Sequence, residues 1–380
     1  MATPANVDIS GWTVQGSSPF LDGNYPASGR LGITSVTGTI SADQSITING
    51  AGFSTGPANH TMENFSGGVD GNDITTGNTV FDEVFASSVP TFNSDARSSG
   101  LSADTYKAGA VQWEAAVMKF IPGVEFDEWF SSYARKTPSG KTLPHAAAQD
   151  GLQSSSGTGF YNGSDDKYVW FFDATYSNDV CMPTRAGWGE HHVAGNTLGV
   201  NEATRVYDSG GGSESSEPDW WNKNFQNNWY RFTGWFQAGD VPQTDPGKFY
   251  FNICNAQDTL WEYTENGKPI FAGGASPYTM EEAWFPGWMR ERTLAEGHGD
   301  VQVLYDDCYF AWGANSAARV EIGNASTYAT CTDLAICPST SWADGAIAVT
   351  LPDGPLSYVS DLWLYVTREN NTDRVSYKIV

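Results

Sequence analysis

The sequence predicts an all-β chain of about two domains, and three observations point there. At 380 residues it exceeds one ordinary hydrophobic core. Its polar character comes from Ser, Thr, Asn and 41 Gly, while charged residues are only 17%. Those residues favour turns and exposed strand faces over helix surfaces. Aromatics make up 14%, 15 of them Trp, which is the opposite of a disordered composition.

Residues 1–30 have no period and are broken by Pro4, Pro19 and Pro26, so they read as an extended arm. Trp12, Phe20 and Tyr25 are costly to leave exposed, so the arm is expected to pack on a partner or a neighbouring copy. From Leu31 to Phe53 the character changes. Ile33, Val36, Ile40, Ile46 and Ile48 lie in two β-branched runs split by the polar turn Ser41-Ala42-Asp43-Gln44. Ser45 to Asn49 alternates polar and apolar, so the segment reads as a hairpin. It leaves through Gly50-Ala51-Gly52-Phe53.

The C-terminal residues also read as strands. ARVEIGNASTY (318–328) is a strand and turn, AIAVTLP follows the turn Ser341 to Gly345, and DLWLYVT (361–367) alternates. Asn370-Asn371 turns the chain into Val375 to Ile379. Ile33 to Phe53 resembles the opening of an IPT/TIG domain, an immunoglobulin-like fold with an I-x-S-V-x-G strand and then V/I-T-I-x-G-x-G-F. The C-terminal order resembles its second half. The resemblance implies one discontinuous immunoglobulin-like β-sandwich, residues 31–55 and 317–380. It also implies contact of Ile46 or Ile48 with Leu362 to Val366.

Residues 56–316 are then an insert. NWYRFTGWFQ (228–237), GKFYFNIC (247–254), Thr259 to Phe271 with a turn at Glu265 to Lys268, and VQVLYDDCYF (301–310) follow one another. This succession resembles the concanavalin A-like lectin/glucanase jelly roll, whose late Y-D-D-V-Y strand pairs near the first strand, here Met62 to Phe65. Polysaccharide lyases and many carbohydrate-binding modules share that fold. Tyr106 to Phe120 reads either as a helix or as a strand pair, and SGGGSESSE (209–217) reads as a flexible loop.

The formal charge of −24 repels phosphate backbones and anionic membranes, so neither nucleic acid nor membrane is an expected partner. The same acidity serves solubility or attracts cations and basic partners. No apolar run reaches the ~18 residues that span a bilayer. Met1 to Gly16 lacks the pattern of a signal peptide. Either a leader precedes it, or the chain is made and assembled in the cytoplasm. The five cysteines are too few for a disulfide scaffold, and none has zinc-site spacing. Cys331 and Cys337 bracket a short loop and either pair or remain thiols.

Enzyme signals are weak. Glu125-Phe126-Asp127-Glu128 falls short of the E-x-D-x-E strand that retaining glycosidases on this fold use, since Trp129 stands where the third carboxylate belongs. A solvated acidic turn is the expectation there. A lyase needs a base and a cation to neutralise the uronate. His191 and His192 are the best bases, with His145 and His298 in loops, and Arg185 and Arg231 are the candidate cations. Adjacent histidines face opposite sides of a strand, so at most one enters a cleft. No catalytic residue is assigned.

Binding has more material. Sugar rings stack on aromatics while polar loops bond their hydroxyls. Trp188, Trp220, Trp221, Tyr230, Trp235, Trp284 and Trp288 lie in such segments, with core filling as the alternative role. Trp188, Trp220, Trp221 and Trp288 are the candidate glycan-binding residues. Jelly rolls like the one resembled often bind Ca²⁺ where first and last strands meet, which makes Glu63, Asp306 and Asp307 candidate ligands, against simple pairing with turn N–H groups. Two classes follow. One is a non-enzymatic virion surface protein of bacteriophage decoration or tail type, bound to other virion proteins through the arm, oligomeric or not. The other is a secreted glycan-active protein, lyase or binding module.

Overall fold

The computed structural model describes residues 30–85, 89–98, 100–105, 117–136, 138, 228–237, 302–354, 356–359 and 361–380. It also gives the backbone of the strands Thr13–Val14, Lys167–Asp173, Asn178–Pro183, Glu190–His191, Thr204–Arg205, Lys248–Asn255, Asp258–Asn266 and Glu282–Phe285. The architecture is all-β: a jelly-roll sandwich inserted into a small immunoglobulin-like sandwich. Its only helical element among the described residues is the one-turn 3₁₀ segment Tyr328–Thr330.

Alternation forms the hairpin Gly32–Gly38 with Ser45–Ala51: Ile46 and Ile48 are buried between exposed or half-buried Ser45, Thr47 and Asn49. Asp43 supplies the left-handed turn residue, at φ 60°. Glycine is required at the exit. Gly52 sits at φ 70°, and a Cβ on Gly50 would lie 2.0 Å from the Gly32 carbonyl oxygen. A lone hairpin is marginal in water. This one is completed by Ala346–Thr350 against Ser45–Ala51 and by Ser339–Ala343 beyond, giving a four-stranded sheet.

The facing sheet runs Thr13–Val14, Arg374–Lys378, Trp363–Thr367, Arg319–Gly323, Leu334–Ile336. One core lies between the two sheets. Ile33, Ile46, Ile48 and Phe53 from the N-terminal segment pack in it with Val320, Ile347, Val349, Leu362, Leu364 and Val366. Each fully buried branched side chain stabilises the fold by about 1.5–3 kcal/mol relative to exposure. In the arm, Thr13 and Val14 pair with Ser376 and Val375 of the chain's own edge strand. Trp12, Phe20 and Tyr25, the expected anchors of the arm, lie outside the described residues.

The large sandwich has an eight-stranded sheet. Its path is Asp258–Asn266, Lys248–Asn255, Tyr230–Gln237, Glu128–Lys136, Leu304–Trp312, Ser102–Asp104, Thr91–Asn93, with Asn59–Glu63 also on Leu304–Trp312. Met62 lies opposite Tyr309 and Glu63 opposite Cys308, so the Y-D-D strand pairs with the first strand of the insert. A five-stranded sheet faces it, built from Asn178–Pro183, Lys167–Asp173, Glu282–Phe285, Val117–Phe120 and Glu83–Phe85. Val117–Phe120 is therefore a strand, while residues 106–116 lie outside the described residues.

The central strand Glu128–Lys136 is buried along its length up to Arg135. Period two explains why. One face carries Trp129, which with Phe310 and Trp312 packs on Phe120 from the facing sheet; the Phe120–Trp312 centroids are 4.8 Å apart. The other face carries Phe130, which joins Trp235, Tyr250, Tyr309 and Ala311 in a cluster with Ala317 and Ile336 of the small sandwich. The large sheet is thus covered on one side by its partner sheet and on the other by the small sandwich.

Candidate functional site at the junction of the sandwiches

The covered polar face of the large sheet holds the chemistry. Arg319–Gly323 reads R-V-E-I-G, so Val320 and Ile322 enter the small core while Arg319 and Glu321 face the large sheet. Glu321 is fully buried. Its Oε1 accepts from Arg231 Nη2 at 2.7 Å and from the Tyr328 hydroxyl at 3.0 Å, and its Oε2 accepts from Arg319 Nε at 2.9 Å. Burial pushes the Glu321 pKa up, but the charges of Arg319, Arg231 and Arg374 outweigh it and bring it to about 2. Arg231 Nε also donates to Ser132 Oγ at 2.8 Å. Arg319 Nη1 donates to the Ala317 carbonyl at 2.9 Å and to Asn371 Oδ1 at 2.6 Å. The Arg319 guanidinium lies 4.8 Å from the Phe130 ring centroid.

A second ionic cluster borders the first. A bulge between Asp306 and Tyr309, with Asp307 at φ 49°, re-aims the two aspartates. Asp306 accepts from the backbone N–H groups of Arg97 at 2.7 Å, Ser98 at 3.0 Å and Asp307 at 2.7 Å, and from the Ser98 hydroxyl. Arg97 pairs with Asp307 at 3.0 Å and with Asp333 of the small sandwich at 2.5 Å, and it donates to the Leu334 carbonyl. Burial, then the Asp307 charge, push the Asp306 pKa up to about 7.

Glu128 makes the third link. Its Oε1 accepts from Trp235 Nε1 at 3.0 Å, from the Ser316 hydroxyl at 3.0 Å and from the Ala317 N–H at 3.4 Å. Burial raises its pKa. The expected acidic turn therefore needs correction: Glu125 and Asp127 are exposed, but Glu128 is buried, because it begins the central strand on the covered face.

The other expectations sort as follows. Arg231 is no uronate-facing cation but a partner of Glu321, since its strand position faces the small sandwich. Trp235 and Tyr230 fill core. Glu63 and Asp306 do not fit the expected Ca²⁺. Glu63 accepts from the Phe65 and Val80 N–H groups and the Thr79 hydroxyl, so N–H dipoles point where a cation would sit. Asp307 is committed to Arg97. Cys331 packs with Tyr328, Leu334 and Tyr365, while Cys337 enters the core between the small sheets. The strand between them separates the two thiols, and they form no disulfide.

Trp188, Trp220, Trp221 and Trp288, and also Arg185, His145, His192 and His298, lie outside the described residues; His191 and Trp284 are placed by backbone alone. Among the described residues no three His, Cys, Asp or Glu group as a metal site. Arg97, Glu321 and Asp333 are the residues the sequence reading missed. The alternation of Arg319 and Glu321 with Val320 and Ile322 was the signal for Glu321: a strand whose second face is ionic must cover that face too.

No family model and no curated protein matches the chain. Among solved structures with remote similarity are two proteins. A marine alginate lyase from Aplysia kurodai shares 8% identity at a TM-score of 0.30, over 59% of this chain and 87% of its own. Peanut lectin shares 8% at 0.32, over 67% and 97%. Both names belong to glycan-active or carbohydrate-binding proteins.

Proposed function

We propose that the chain is a non-enzymatic virion surface protein, of bacteriophage decoration or tail type, that presents a carbohydrate-binding jelly roll on an immunoglobulin-like base. In this reading residues 31–55 and 317–380 form a base of IPT/TIG type, residues 56–316 are the displayed jelly roll, and the N-terminal arm binds a neighbouring virion protein. The observation that favours the non-enzymatic reading over a lyase is the commitment of Arg231 and Glu128 to the join between the sandwiches. Arg231 is buried at the join and out of reach of a substrate uronate, and Glu128 has its acceptor oxygen filled by Trp235, Ser316 and Ala317. A buried, triply tied joint suits a fixed display platform better than a hinged enzyme. The Trp-rich segments around Trp188, Trp220, Trp221 and Trp288 supply the stacking surface of the proposed glycan site.

The test has two arms. A glycan array should show binding that the four Trp→Ala substitutions abolish, with no new reducing ends or unsaturated products from polysaccharide panels. Labelled antibody should decorate intact particles. Cleavage of any glycan would remove the non-enzymatic reading, and absence from purified particles would remove the virion setting.

A further inference from the structure

We propose that the N-terminal arm is exchanged between copies of the chain: Thr13–Val14 of one copy pairs with the Arg374–Lys378 edge of a second. This rests on the reading of the arm as an assembly anchor, and it names the partner and the seat. The seat is the pairing formed within one chain. Thr13 lies opposite Ser376 and Val14 opposite Val375, an antiparallel register that sets polar against polar and branched apolar against branched apolar. Thr13–Val14 is the outermost strand of its five-stranded sheet, so Arg374–Lys378 becomes the edge whenever the arm leaves. A bare edge presents unpaired N–H and C=O groups that take up another strand. Every copy carries both the strand and the edge, and exchange keeps each edge covered.

The connection has the length that exchange needs. The strand Gly32–Gly38 lies against Arg374–Lys378. Closing the arm onto its own chain therefore takes a link of only about 2–6 residues. Residues 15–29 supply fifteen, punctuated by Gly16, Gly23 and Gly29 and by Pro19 and Pro26. Fully extended they reach about 50 Å, beyond the roughly 30 Å width of a domain the size of the small sandwich. Such a link serves a neighbour's edge as well as its own. The pairings are the same in both cases, so concentration decides between them. The tether holds the arm near its own edge at a roughly millimolar effective concentration, and copies packed side by side in an assembly match that.

A cross-link at this register tests the exchange. Directly opposite Cα atoms in an antiparallel pair lie about 4.5–5.5 Å apart, within the span of a disulfide. Full-length Thr13→Cys and Ser376→Cys chains are mixed, equilibrated at about 0.01 to 1 mM and oxidised briefly. A disulfide joining positions 13 and 376 then forms only between chains. Peptide mass spectrometry should find it in a dimer whose yield rises at least about tenfold over that range. The yield should exceed that of an off-register control, Thr13→Cys mixed with Lys378→Cys. The double variant Thr13→Cys/Ser376→Cys, kept dilute, should link within one chain, which shows that both substitutions are tolerated. Linkage in the double variant with none between mixed chains leaves the arm on its own chain and overturns the proposal. No linkage in either removes the register and overturns it too. The virion setting is read separately, by antibody on intact particles, and the cross-link in the purified chain does not depend on it.

Discussion

Glu321 and Asp306 sit at the same junction, both buried, and their acidities move in opposite directions. Desolvation pushes each carboxyl up. Around Glu321 three full positive charges reverse that push and hold it near 2. Around Asp306 the nearest donors are backbone N–H groups and one hydroxyl, and the adjacent charge is Asp307, of the same sign. Dipoles lower the Asp306 pKa but do not overcome burial and a like charge, so it stands near 7. The difference teaches that partner charge, and not hydrogen-bond count, decides which buried carboxylate holds the two sandwiches together as an ion.

The sharpest way to break this comparison is to neutralise Glu321. Glu321→Gln keeps the shape and leaves Arg231 and Arg319 buried without a counter-charge. Loss of about 3–5 kcal/mol in urea unfolding is expected, the cost of breaking a buried pair from one side. A loss under about 1 kcal/mol would mean that Glu321 is not the centre of the joint.

The next test uses pH. The folded Asp306 pKa near 7 lies above the unfolded value of about 3.9. Between those values the folded state holds more protons, so the Asp306 contribution is complete below the unfolded value and is lost as pH rises through about 7. Glu321 has the opposite sign: its contribution is complete above an unfolded value of about 4.3 and is lost only as pH falls through about 2. From pH 5 to 7, then, Glu321 is flat while Asp306 slopes. Asp306 should account for a fall of about 2 kcal/mol over that range, and Asp306→Asn should reduce the slope, with the neighbouring Asp307, whose pKa burial also raises, adding to it in the same direction. An unchanged slope in the variant would assign it to another group.

A smaller effect marks the solvent-exposed limit. Lys136 Nζ lies 2.7 Å from Asp95, whose side chain is 44% exposed. Water and salt screen this pair, so Asp95→Asn should cost less than about 1 kcal/mol. A cost matching Glu321→Gln would contradict the ranking by burial and partner.

The same contrast explains what the sequence disclosed. Ser45–Ala51 was legible as a strand because Ile46 and Ile48 are buried on one face and the other face is not. The strand Glu128–Lys136 was not, because both of its faces are covered and EWFSSYARK shows no alternation. The ionic site was hidden for a different reason. Glu128 meets Trp235 across 107 positions and Arg97 meets Asp307 across 210, distances at which local spacing carries no information. The Asp307 bulge gave no glycine to mark its φ of 49°.

The smallest expected effect is that of reductant. Cys308, Cys331 and Cys337 are thiols buried on separate sides of the strands. For Cys308, burial and then the charges of Asp306, Glu63 and Asp307 push the pKa up; for Cys337, burial and then the Glu321 charge do so. Burial, reinforced by these acids, thus keeps both thiols in the unreactive protonated form. Strong reductant should leave the melting temperature within about 1 °C, since no closed loop is opened at these positions. Site-resolved mass spectrometry after mild alkylation of the native chain should find Cys308 and Cys337 unlabelled, and urea should expose both. Rapid native labelling of Cys308 would show that the bulge beside it opens. In that event the Asp306 cluster would belong to a loosely held edge, and the pH slope assigned to it would have to arise from another buried group.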